Sequence, residues 1–191
     1  MTRDEAYQVL TKYLHNKNLL KHCLACEATM KALCKRLETN PSKEELEKWG
    51  ISGLCHDADY ELAQNTNQLD KHGNLLFEKE LDTFPLDIKH AIQAHNYEGT
   101  GVDPKNNMDW SIAICDGLTG FIVACALVTP EKKLSAVSPE FVIKKFGQAS
   151  FAKGVRRSVI ELCDEKLGIP FSEFVTITLT AMQDIHEELG L

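Results

Sequence analysis

The sequence predicts an all-α fold, a bundle of helices around one core. Three observations predict it. Apolar residues recur at helical spacing along nearly the whole chain, β-branched alternation is almost absent, and Ser42-Lys43-Glu44-Glu45 and Ser138-Pro139 both read as helix starts. With 191 residues, 43% of them hydrophobic and 26% charged, the chain has the size and composition of a single globular domain. A chain this long buries roughly 70% of the surface its unfolded form exposes, so it needs neither a disulfide nor a structural metal to fold.

Taken in order, a first helix is expected from about Asp4 to His15 and a second from Asn18 to Leu37, stopping before Thr39-Asn40-Pro41. Ser42 supplies a hydroxyl at an N-cap with Glu45 three residues on, a capping-box pattern. The helix it opens runs toward Trp49 and resumes through Ile51 to Cys55, with Gly50 as a break. Asn65 to Asn74 is polar and loop-like, and short helices cover Leu75 to Leu81 and Pro85 to Ala94. Tyr97 to Asn107, rich in Gly, Pro and Asn, is an exposed loop, and Asp109 caps the long apolar helix after it. Pro139 suits the first turn of a short helix. Two more follow, Phe151 to Leu167 and Ser172 to Leu189, separated by Gly168-Ile169-Pro170.

Charge narrows the function classes. Lys and Arg number 21 against 28 Asp and Glu, a formal charge of -7, and there is no basic block. That excludes the electrostatic footprint of a nucleic-acid polymer as partner, but it is compatible with a small phosphorylated ligand. The opening Met1-Thr2-Arg3-Asp4-Glu5 turns acidic at once, so no secretory signal is expected and the chain reads as cytoplasmic. Trp110 to Val128 is nearly long enough to span a bilayer, but Asp116 and two glycines interrupt it, so a buried helix and no membrane partner are expected. Seven cysteines, an odd number in a chain of this length, read as reduced thiols; Cys23 and Cys26 form a Cys-x-x-Cys pair that could be half a zinc site, but no second pair follows at zinc-finger spacing, so they read as small buried residues within a helix.

Four positions place ionisable side chains where the pattern wants apolar ones. His22 follows Leu19-Leu20, the doublet His56-Asp57 follows Gly53-Leu54-Cys55, and Asp116 interrupts Ile112-Ala113-Ile114-Cys115. Buried unpaired carboxylates are costly, so Asp57 and Asp116 need cationic or strong hydrogen-bonding partners. One divalent ion would satisfy both acids and both imidazoles together, and would lower the pKa of a bound water. Taken singly, each residue also reads as a hydrogen-bonded core residue or cap.

The ordered set resembles the HD-domain superfamily of metal-dependent phosphohydrolases. Leu20-Lys21-His22-Cys23-Leu24-Ala25 looks like that family's first-His helix, and Gly53-Leu54-Cys55-His56-Asp57-Ala58-Asp59-Tyr60 like its doublet segment. Ala91-Ile92-Gln93-Ala94-His95-Asn96 resembles the segment with an accessory His, and Ile114-Cys115-Asp116-Gly117-Leu118-Thr119-Gly120 the final-Asp helix. The tail, through Ser150-Phe151-Ala152-Lys153-Gly154-Val155, is similar to a subgroup of predicted HD-superfamily hydrolases. The resemblance implies one HD domain over residues 1–191, with a C-terminal helical extension from about 137. It implies one ion (Mn, Fe, Zn, Ni, Co or Mg) on His22, His56, Asp57 and Asp116, and a phosphate-ester substrate, a nucleotide or other small phosphorylated metabolite. The Gly-Lys pair that follows the doublet in many members is here Ala58-Asp59.

Three roles follow from position. Asp59, two residues past Asp57, is read as orienting or deprotonating the attacking water, or else as a polar cap or ion-pair partner; Glu61 is the weaker candidate for the same part. His95 is read as facing the substrate pocket. Lys153, Arg156 and Arg157 are the most basic cluster, either a clamp for a substrate phosphate or a solvated helix face. A second ion would call on His72 and His95 and would open a different reading, a di-iron HD-fold oxygenase; a non-catalytic HD binding module is the third.

Overall fold

The computed structural model describes residues 1–80 and 83–191, and among them it is helical with no strand. The helices are α1 (Arg3–Tyr13), α2 (Lys17–Leu37), α3 (Lys43–Cys55), α4 (Tyr60–Asn65), α5 (Leu75–Lys79), α6 (Leu86–His95) and α7 (Tyr97–Thr100). After them come α8 (Asn107–Leu127), α9 (Pro139–Phe146), α10 (Arg157–Ile160), α11 (Cys163–Leu167), α12 (Phe171–Asp184) and α13 (His186–Leu189).

Side-chain caps fix the starts of the long helices. Thr2 and Glu5 form a capping box on α1, Asn16 Oδ1 accepts from the amides of Asn18 and Leu19, and Ser42 Oγ accepts from Glu45 N. α8 is apolar all round and lies in the centre, against α2, α6 and α12. It is the one helix among the described residues long and apolar enough to cross a membrane, and most of it is buried inside the protein. Asn106, rather than Asp109, caps it: the Asn106 side chain accepts from Asp109 N, while the Asp109 carboxylate takes Lys105 N and faces His90.

Two apolar clusters share α2. The larger gathers Cys26, Met30 and Leu33 with Ile112, Cys115 and Phe121 of α8 and Phe174 of α12. The smaller gathers Cys23 with Ala6 and Leu10 of α1, Leu54 of α3 and Ile92 of α6. His22 precedes Cys23 and stands one turn before Cys26, between the two.

Several expectations shift. α3 runs unbroken through Gly50, whose missing Cβ leaves room for the Lys31 side chain. Gly53 has the sharper reason: a Cβ there would stand 2.6 Å from the carbonyl oxygen of Cys26. Both glycines therefore serve close packing of α3 on α2. The expected helix Phe151 to Leu167 is broken, because the chain before α10 turns through Ala152 at φ 45°, and Arg157 binds the carbonyls of Phe146, Gln148, Phe151 and Ala152 there. The last helix divides at Ile185 into α12 and α13, and the Tyr97 to Asn107 loop begins with the short α7. Leu81, the expected end of α5, lies outside the described residues.

Candidate metal centre

Four helices and one loop aim ionisable side chains at a common point. α2 carries His22, the end of α3 carries His56 with Asp57 just beyond, α6 ends in His95, and α8 carries Asp116; His72 comes from the turn before α5. The structure thus brings together His22, His56, Asp57 and Asp116. It adds His72 and His95 beside them.

The imidazoles share one orientation. His22 Nδ1 lies 3.2 Å from Thr119 Oγ1, whose hydroxyl donates to the Asp116 carbonyl at 2.8 Å, so the ring nitrogen is the donor to Thr119. His56 Nδ1 donates to Gly53 O at 2.8 Å, His72 Nδ1 to Asp59 Oδ1 at 2.7 Å, and His95 Nδ1 to Ile92 O. Every Nδ1–H is spent outward and every Nε2 points in. The Nε2 atoms of His22 and His56 are 3.2 Å apart, and those of His72 and His95 3.1 Å. Two imidazole lone pairs at such a distance repel unless a proton or a cation lies between them. Outward Nδ1 donation is also how metal-bound histidines are held in protein sites.

The carboxylates close the cluster. Asp116 Oδ1 is 3.0 Å from His22 Nε2 and 3.7 Å from His56 Nε2. Asp57 reaches both halves: Oδ2 is 3.6 Å from His22 Nε2, and Oδ1 is 3.6 Å from His56 Nε2 and 2.9 Å from His72 Nε2. The donors fall into two groups, His22, Cys26, His56 and Asp116 in one, Asp57, His72 and His95 in the other, each with its donor atoms within 4.8 Å of one another. This buried His/Asp cluster can hold a metal ion.

Electrostatics point the same way. Burial works against charge on His56, but Asp57, then Cys26 and Asp116, outweigh it and raise its pKa to about 10. His72 is raised to about 10, burial again being outweighed, here by Asp57 and Asp59. His95 moves the other way, to about 4, through burial and the charge of His72 and His56. Both Asp57 and Asp116 are held below the usual carboxylate range: burial opposes this, and the surrounding histidines override it.

The other predicted residues fall apart in role. Asp59 is 1% exposed, and its oxygens accept from Gly73 N, Leu76 N and His72 Nδ1, so it holds His72 and turns no oxygen toward the Nε2 cluster. The expectation that it meets a water gives way to the ion-pair alternative. Glu61 accepts from the amides of His15 and Asn16, fixing the turn between α1 and α2. His95, expected to face the pocket, is instead buried among His56, His72 and Ile92. Lys153 is exposed. Arg156 lines a cleft of about 240 Å³ with His22, Asp116, Gly117 and Gly120, and pairs with Glu98 at 2.9 Å. Arg157 faces away, bound to four carbonyls.

The sequence marks His72 only as a ligand for a second ion, and it does not mark Cys26, which the structure places beside His22, as a ligand. No protein-family model matches the chain, and neither a curated protein nor a solved structure matches it.

Proposed function

We propose that this chain is an HD-type metal-dependent hydrolase acting on a phosphate ester of a nucleotide or another small phosphorylated metabolite. The observation that carries the reading is the convergence of four Nε2 atoms and two ionised carboxylates beside a cleft rimmed by Arg156. His22, His56 and Asp116 would hold one ion, with Asp57 reaching it from the side; Asp57, His72 and His95 would hold a second. Bound there, divalent ions polarise a phosphoryl oxygen and lower the pKa of water.

The chain's own residues divide the remaining work. Asp59 locks His72 in the tautomer that presents Nε2, and Thr119, Gly53 and Ile92 do the same for His22, His56 and His95. His22 and Asp116 are the members that reach the cleft, so a substrate meets the cluster on that side, while the Asp57, His72 and His95 group stays enclosed. Arg156 offers an anionic substrate a planar pair of donors once it leaves Glu98. The acidic surface favours a small substrate over a nucleic-acid polymer, and seven unpaired cysteines suit a reducing cytoplasm.

The approach of His72 and His95 to Asp57 favours one second reading, a di-iron oxygenase. Elemental analysis of purified protein, combined with a panel of phosphomonoesters and phosphodiesters, separates the two. Metal bound by the wild type and lost from His56→Ala, together with phosphate release, supports the hydrolase. Two irons with an optical signature and no phosphate release supports the oxygenase. A protein that takes up no metal after supplementation overturns both and leaves an HD scaffold without catalysis.

A further inference from the structure

We propose that Cys26 supplies a sulfur ligand to the ion held by His22, His56 and Asp116, so that the cleft-facing half of the centre is a two-nitrogen, one-oxygen, one-sulfur site. The inference rests on the metal-centre reading above and extends it to the kind of metal bound.

Position comes first. His22 and Cys26 are separated by four residues on α2, so their side chains share one helix face a turn apart. Cys26 is fully buried, and its Sγ lies 3.8 Å from His22 Nε2 and 3.4 Å from Thr119 Oγ1, the hydroxyl that orients His22. Sγ, both imidazole nitrogens and an Asp116 oxygen are mutually within 4.8 Å.

Distances within the group suit a single ion. Zinc holds nitrogen and oxygen at about 2.0–2.2 Å and sulfur at about 2.3 Å, so two donors of one tetrahedral shell stand roughly 3.3–3.6 Å apart. The observed separations are 3.0 Å from His22 to Asp116, 3.2 Å from His22 to His56, 3.7 Å from His56 to Asp116 and 3.8 Å from His22 to Cys26. The sulfur lies at the long end, as its longer bond requires.

Chemistry then selects the ion. A thiolate is a soft ligand, and with two imidazoles and one carboxylate it suits zinc, cobalt or ferrous iron, and disfavours magnesium. On binding, the Cys26 S–H bond breaks, the sulfur–metal bond forms and the proton leaves to solvent. Thiolate and Asp116 together then carry two negative charges against a divalent cation, with Cys26 and His56 fully buried behind the cleft onto which Asp116 opens.

Cobalt(II) substitution tests this. Metal-free protein titrated with cobalt should develop visible d–d bands from any bound cobalt and, in the near ultraviolet, a sulfur-to-cobalt charge-transfer band. Cys26→Ser should keep the first and lose the second, whereas Cys23→Ser and Cys115→Ser should keep both. Visible bands without charge transfer in the wild type, or charge transfer that survives in Cys26→Ser, overturn the sulfur ligand while leaving the metal centre intact. Absence of cobalt binding altogether overturns the centre and the proposal with it. If Cys26→Ser fails to fold, the cadmium NMR shift of the wild-type protein decides, since one sulfur moves it well downfield of an all-nitrogen-and-oxygen site.

Discussion

Gly53 of α3 lies so close to Cys26 of α2 that a Cβ on it would meet the Cys26 carbonyl oxygen at 2.6 Å. This contact sets how near the two helices come, and so how near His56, three residues on, comes to His22. Gly53→Ala should therefore cost about 1–3 kcal/mol by overpacking against backbone that cannot yield. It should also weaken metal binding. Gly50→Ala, whose Cβ would meet only the flexible end of Lys31, should be far milder. Denaturant unfolding paired with metal content checks both; equal effects at the two glycines would refute the account.

Asp59 gives a test of role. Replacing it with Ala strands the amides of Gly73 and Leu76 and frees His72, so stability should fall by about 1–3 kcal/mol. Metal affinity should fall roughly 10–100-fold, the usual effect of losing an orienting partner. A residue that only accepted a proton from water would lower kcat and leave metal affinity unchanged. Calorimetric titration with metal distinguishes them.

The neighbouring arginines should behave oppositely. Arg156→Ala should raise KM for an anionic substrate with metal content intact, and its exposed pair with Glu98 is worth only about 0–1 kcal/mol to stability. Arg157→Ala leaves four carbonyls without their shared donor and removes a cation from the faces of Phe121 and Phe146, so it should lower the melting temperature visibly. Thermal melts and substrate kinetics on the pair separate rim from anchor.

Metal uptake should depend on pH in a definite direction. Protons on His56 and His72, whose pKa values Asp57 and its neighbours raise to about 10, occupy the nitrogens that a cation needs. Binding must release them, so apparent affinity should climb as pH rises and fall on acidification. Heats of binding measured in two buffers of different ionisation enthalpy should differ; identical heats would contradict proton release.

Much of the site was legible because charge in an apolar stretch is conspicuous. His22, His56, Asp57 and Asp116 each interrupt helical hydrophobic periodicity, and the structure brings all four together. His72 was harder, since it sits in a polar segment where histidine is unremarkable, and only the tertiary fold reveals its bonds to Asp57 and Asp59. Cys26 carried only its Cys-x-x-Cys spacing with Cys23, which lacks the second pair of a zinc-finger site, and buried cysteine is ordinary core material. Helix starts with side-chain caps were readable at Ser42 and Ser138; the break before α10 was not, since it depends on Arg157 reaching carbonyls up to eleven residues back.

All seven cysteines are buried and unpaired. A thiol reagent can reach them only when the packing opens, so its reaction rate on folded protein is a clock for local opening. The seven thiols are spread over α2, α3, α8 and α11, so mass-resolved labelling would time each helix separately. The same native thiols would thus give a map of breathing motions around the centre, with no engineered probe.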